Sequence, residues 1–124
     1  MKKLLMAAFL FLLACGETGW QDVGAAEAAG LLQEDKGITV LDIRTPAEFG
    51  RGHIAGAENI DFRAADFKAA LGRLERDRAY LLHCASGNRS GRALPVLKEL
   101  GFSHVYHLNT GFKGWVAAGL AVEE

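Results

Sequence analysis

Short apolar runs alternate with longer amphipathic stretches along most of the chain. Ile38-Thr39-Val40-Leu41-Asp42, Ala79-Tyr80-Leu81-Leu82-His83 and His104-Val105-Tyr106-His107-Leu108 are dense in apolar and β-branched residues and predict strands. The segments near Ala25 to Gln33, Phe62 to Leu74, Gly91 to Leu100 and Phe112 to Ala118 predict helices. Strand and helix in alternation predict an α/β fold, with a central parallel β-sheet flanked by helices on both faces. In such a sheet the ligand site lies beyond the carboxyl ends of the strands, where loops lead into helices. One residue opposes the pattern. Pro95 removes an interior hydrogen bond from the third helix at a cost of ~3 kcal/mol. The periodic set Ala93, Val96, Leu97 and Leu100 still favours a helix, so a kink is predicted near Gly91 to Pro95.

The first fourteen residues have a different character. Lys2 and Lys3 precede the uncharged run Leu4 to Ala14, whose eleven apolar residues fall short of the ~20 that span a bilayer. A basic start, a short apolar stretch and small residues at its end predict an export signal over residues 1–14. Leu12-Leu13-Ala14-Cys15 resembles the lipobox of bacterial lipoproteins, which implies that Cys15 is acylated and begins the mature chain. A plain secretory peptide cleaved nearby, or an uncleaved anchor, is the alternative. Residues 15–20, with Gly16 and Gly19, then read as lipid anchor and tether, and 21–124 as the folded domain. The expected location is the periplasmic side of a bacterial membrane, held by lipid.

Composition narrows the class. Hydrophobic residues make up 50% and charged ones 23%, a balance that supports one folded domain rather than a disordered chain. From Cys15 onward there are 12 basic and 15 acidic side chains, net −3, which gives no support to a nucleic-acid partner. Cys15 and Cys84 are the only cysteines. Acylation of Cys15 leaves Cys84 as a lone thiol in an oxidising compartment, a liability unless its reactivity is used.

Cys84 has the surroundings of a nucleophile. His83-Cys84-Ala85-Ser86-Gly87-Asn88-Arg89-Ser90 ends a strand and opens a helix, where successive backbone N–H groups form an anion-binding nest. Lowering a thiol pKa from ~8.5 to below 7 takes about 2 kcal/mol, and a helix terminus alone supplies ~0.3 to 1. The nest and Arg89 are expected to supply the rest. Gly87 permits positive φ, and the small residues Ala85, Ser86, Gly87 and Ser90 leave the loop open to a compact anion. Without this loop, a cysteine at a strand end reads as inert packing.

This loop resembles the active-site loop of the rhodanese family. The likeness extends to Leu41-Asp42-Ile43-Arg44-Thr45-Pro46-Ala47-Glu48-Phe49, to Gly52-His53-Ile54-Ala55-Gly56-Ala57-Glu58-Asn59-Ile60, and to Leu108-Asn109-Thr110-Gly111-Phe112-Lys113-Gly114-Trp115. Thr110 stands where the family's closing pair has its first glycine. The resemblance implies a sulfurtransferase in which Cys84 takes a sulfane sulfur from thiosulfate or a related anion as a persulfide. A thiol or cyanide would accept the sulfur, and no metal or organic cofactor is implied. Backbone and side chains of Ala85, Ser86, Gly87, Asn88, Arg89 and Ser90 would bind the donor. Phosphatases and arsenate reductases of related fold place an arginine six positions after the cysteine, whereas here Arg89 is at the fifth and Ser90 at the sixth. That favours sulfur over a tetrahedral oxyanion. A non-catalytic binding or redox-partner module on the same fold is the competing class.

Other polar residues read as structural. Asp42 and Arg44 are expected to fix the loop after their strand, by hydrogen bonds or pairing with Glu48. His83 alternates away from Cys84 on a strand, and His104 and His107 face opposite sides, so no metal site is expected. Arg92 is placed to contact an anion from the helix. Arg51 and His53 read as pocket-lining or, more commonly, solvated loop residues. Trp115 reads as core and Trp20 as a cap on the sheet edge.

Overall fold

The computed structural model describes residues 19–124; the expected export signal, Cys15 and most of the expected tether lie outside the described residues. The strands are β1 (Gln21–Val23), β2 (Thr39–Asp42), β3 (Glu58–Asn59), β4 (Tyr80–His83) and β5 (Val105–Leu108). The helices are α1 (Ala25–Glu34), α2 (Pro46–Gly50), α3 (Phe67–Leu71), α4 (Asn88–Glu99) and α5 (Gly111–Ala117). The five strands pair in parallel in the order β1-β5-β4-β2-β3. The expected α/β architecture is therefore present.

Alternation along the central strands divides the core. Leu41, Tyr80, Leu82 and Cys84 point to the side of Phe67, Leu71, Ala93, Leu94 and Leu97 from α3 and α4. Val40 and Leu81 point to the other side, against Ala28 of α1 and Trp115 of α5. Both faces of β2 and β4 are thus covered, which explains their nearly unbroken apolar sequences. Burial of one such side chain contributes roughly 1.5–3 kcal/mol.

Several elements depart from the sequence expectation. The segment Phe62 to Leu74 holds only the short helix α3, because turns precede it and the chain leaves helical spacing at Gly72. Helix α4 starts at Asn88, three residues before the expected Gly91. It continues unbroken through Pro95, which lies exposed on its outer side. Strands β1 and β3 and helix α2 were not expected. The strands have three and two residues, too few for a period to show, and α2 forms through a capping box in which Thr45 and Glu48 satisfy each other's backbone N–H.

Candidate active site

Cys84 leaves the end of β4 on the α4 side of the sheet and is 1% exposed. Its carbonyl oxygen accepts from the Phe112 N–H at 2.8 Å, and that of Ala85 accepts from the Lys113 N–H at 2.9 Å. The first turn of α5 thereby holds the loop's carbonyls on one side. A trans peptide points its N–H opposite to its C=O, so the following amides turn inward, around the sulfur. Sγ accepts from the N–H of Gly87 at 3.2 Å and of Ser90 at 3.3 Å, and lies 3.3 Å from Ser90 Oγ. Gly87, the N-cap of α4, has no side chain to accept the orphan donors of the first turn. The sulfur fills that role.

Burial pushes the Cys84 thiol up, but the Ser90 hydroxyl, followed by the amides of Ser90, Ser86 and Gly87, outweighs it and holds the thiol below its ordinary value. Two glycines lock this geometry. Gly87 has φ 97° and a Cβ there would strike the carbonyl oxygen of Asn109; Gly111 has φ 70° and a Cβ there would strike that of Ala85. Thr110 adopts an ordinary right-handed conformation, so the closing turn needs only its second glycine.

Arg89 interacts with the Cys84 charge, but more strongly with a carboxylate of α2. Its guanidinium forms a two-pronged pair with Glu48, at 2.8 Å and 3.0 Å. That partner offsets its charge, so hydrogen bonds within the loop, more than Arg89, stabilise the thiolate. The Arg89 hydrogen bonds hold the Glu48 carboxyl at about 2, against an ordinary 4.5, despite some opposition from burial. A carboxyl lowered in the fold adds stability above its unfolded value and loses it on acidification. Stability is expected to fall as pH drops from about 4.5 towards about 2. Urea unfolding across that window checks this, and Glu48→Gln should show a flatter dependence there.

Of the two ways in which Asp42 and Arg44 were expected to fix the loop after β2, hydrogen bonds are the one observed: Arg44 binds Asp42 through Nε and Nη2 at 2.8–3.1 Å and donates to the Gly52 carbonyl at 2.7 Å. Asn59 donates to the carbonyls of Asp42 and Arg44, fixing the β2 loop against β3. His83 is fully buried and points away from the thiol. Its Nδ1 bonds the Cys84 carbonyl at 2.9 Å, and burial pushes its pKa down against the pull of Asp42. Arg92 lies over the Phe62 ring, and Arg51 is exposed. His53 stacks on Phe49 at 3.9 Å. Trp115 is in the core, and Trp20 packs at the edge of the α3–α4 side. Among the described residues no cluster suited to a metal ion occurs.

His107 occupies a more consequential place than its sequence suggested. It is 5% exposed, with Nε2 2.8 Å from Ser90 Oγ and Nδ1 2.9 Å from Asp22 Oδ1 on β1. His104 precedes β5 and is exposed. Asp22, His107 and Glu48, which bond residues around the thiol, were missed because no local pattern joins them to Cys84. The parallel pairing of β1 with β5, which sets Asp22 opposite His107, and the packing of α2 against the loop bring them there.

Residues 25–118 match the rhodanese-like domain. The chain is 41% identical over 92 residues to "Thiosulfate sulfurtransferase GlpE" of Pseudomonas aeruginosa, covering 73% of this chain and 80% of that one. It is 38% identical over 76 residues to "Uncharacterized protein YqhL" of Bacillus subtilis, covering 61% of this chain and 59% of that protein. Against "Probable adenylyltransferase/sulfurtransferase MoeZ" of Mycobacterium tuberculosis the match covers 68% of this chain and 21% of that protein. Some relatives are thus much longer than the region shared. A crystal structure of a rhodanese-related protein from Thermoplasma volcanium superposes with TM-score 0.73 at 34% identity, covering 83% of this chain and 97% of that one. With the sheet order, the loop after β4 and these likenesses in agreement, the chain belongs to the rhodanese-like domain family.

Proposed function

We propose that this protein is a sulfurtransferase that carries sulfane sulfur on Cys84. The observation that carries the reading is the sulfur's position, facing two amides and a hydroxyl that favour an anion there. Cys84 thiolate attacks the outer sulfur of thiosulfate or a related donor. A bond forms between the two sulfurs, the bond to the sulfonyl sulfur breaks, and sulfite leaves with its electron pair. The persulfide anion stays in the nest. Cyanide or a thiol then takes the outer sulfur and regenerates the thiolate. A thiol only 1% exposed is better reached by a slender terminal sulfur than by a bulky centre. The name of the Pseudomonas relative, thiosulfate sulfurtransferase, supports the choice of donor.

A binding or redox-partner module is the competing reading, and one experiment separates the two. Incubation with thiosulfate, followed by mass spectrometry of the intact protein and its peptides, is expected to show a gain of one sulfur on Cys84 and none in Cys84→Ser. Folded wild-type protein that gains no sulfur under these conditions would hand the reading to the partner module.

A further inference from the structure

Four side chains run in hydrogen-bond sequence from the thiol to the surface. Cys84 Sγ meets Ser90 Oγ at 3.3 Å, Ser90 Oγ meets His107 Nε2 at 2.8 Å, and His107 Nδ1 meets Asp22 Oδ1 at 2.9 Å. Ser90 is fully buried and His107 nearly so, while the Asp22 side chain is 57% exposed. The direction of the chain follows from chemistry. A carboxylate accepts only, so Nδ1 carries a hydrogen and donates to Asp22. In the neutral ring Nε2 then accepts, the Ser90 hydroxyl donates to it, and the hydroxyl oxygen is left to accept from the thiol. Three donors point one way.

We infer that Ser90, His107 and Asp22 form a proton relay that ionises Cys84: the thiol proton passes to Ser90 Oγ as the Ser90 proton passes to His107 Nε2. The result is a thiolate accepting from Ser90, beside an imidazolium held by Asp22. Ser90, in contact with the reacting sulfur, is catalytic; His107 and Asp22 are positioning residues that act through it. This inference rests on the sulfurtransferase reading and deepens it. Thiolate and thiosulfate give persulfide anion and sulfite, and persulfide anion and cyanide give thiolate and thiocyanate. Neither step consumes a proton, so the proton stays on His107 through the whole cycle, opposite whichever sulfur anion is present.

Other charges near the relay do not take over its task. Arg89 on α4, paired with Glu48 of α2, also interacts with the Cys84 charge, but a guanidinium cannot accept the thiol proton. His83, Asp42 and Arg44 follow the alternation of β2 and β4 to the opposite side from Cys84. Lys98, farther along α4, lies against Gly19, and Arg92 lies over Phe62. Asp22 is the one carboxylate bonded to the imidazole among the described contacts.

The test reads ionisation rather than turnover. Thiolate absorbance in the ultraviolet, titrated against pH with Cys84→Ser as blank, is expected to move its midpoint up by about one pH unit in His107→Gln, a roughly tenfold loss of thiolate below the midpoint. Glutamine keeps a hydrogen bond to Ser90 but takes no proton, so a purely structural histidine predicts no shift. Asp22→Asn, at an exposed position that does not threaten folding, should shift the midpoint the same way by less. Ring-nitrogen NMR shifts should show His107 protonated in wild type and neutral in Cys84→Ser at the same pH. A wild-type titration curve in folded His107→Gln, or His107 equally protonated with and without Cys84, overturns the relay. Failure of wild type to take up sulfur while these shifts persist would instead sink the sulfurtransferase reading and leave the relay standing.

Discussion

Thiosulfate-dependent formation of thiocyanate is expected to fall by at least about a thousandfold, to the level of the blank, when Cys84 is replaced by serine or alanine, since Cys84 is the one thiol among the described residues. The two variants should part company in stability. Serine keeps an acceptor where the Gly87 and Ser90 amides converge, so Cys84→Ser should unfold within about 1 kcal/mol of wild type. Alanine leaves those amides facing a methyl group. The Ser90 N–H is buried, and leaving such a donor unpaired costs about 1–3 kcal/mol, which urea unfolding of Cys84→Ala should reveal. Turnover in Cys84→Ser well above the blank defeats the assignment of the nucleophile. Equal stability of the two variants defeats the view that the sulfur caps α4.

Gly87→Ala is expected to damage both stability and chemistry. The residue sits at φ 97°, and an added methyl group meets the Asn109 backbone, which has no flexible end to swing aside. Left-handed strain in a non-glycine residue costs about 1–3 kcal/mol, and a forced backbone shift adds a similar amount, so a loss of roughly 2–5 kcal/mol is expected in urea unfolding. Any accommodation moves Gly87 or the turn at Asn109. The first displaces an amide from Sγ, and the second displaces α5, which orients the loop carbonyls. Thiolate content at neutral pH should therefore drop in whatever fraction folds. A variant with wild-type stability and an unchanged thiol titration would show that the close approach to Asn109 is not needed.

The central strands were legible because β2 and β4 carry contiguous apolar residues buried on both sides, and β5 has Val105, Tyr106 and Leu108 around a single histidine. The reactive loop was legible because its peculiarity is local, a cysteine at a strand end followed by small residues and a helix start. The electrostatics around it were not. Arg89 carries its charge in the sequence, but its neutralisation depends on Glu48, 41 residues away and on a five-residue helix set by a capping box. Arg44, also near Glu48 in sequence, binds Asp42 instead because the turn after β2 folds the guanidinium back onto that carboxylate. The neighbours of His107 come from a three-residue edge strand and from the first turn of α4. Alternation along β5 says which way a ring points; it is silent on what waits there.

The anchoring of the Cys84 and Ala85 carbonyls by Phe112 and Lys113 has a bearing on the order in which the molecule becomes reactive. The two halves of the cradle are separated by nearly thirty residues, including all of α4 and β5, and the contact between Asp22 and His107 spans 85. Such distant closures form only after intervening chain has been ordered at an entropic cost. A peptide cut from Leu81 to Ser90 would hold every residue of the motif and an ordinary thiol. The cradle belongs to the closed topology, in which the final strand lies beside the first and the final helix holds the loop.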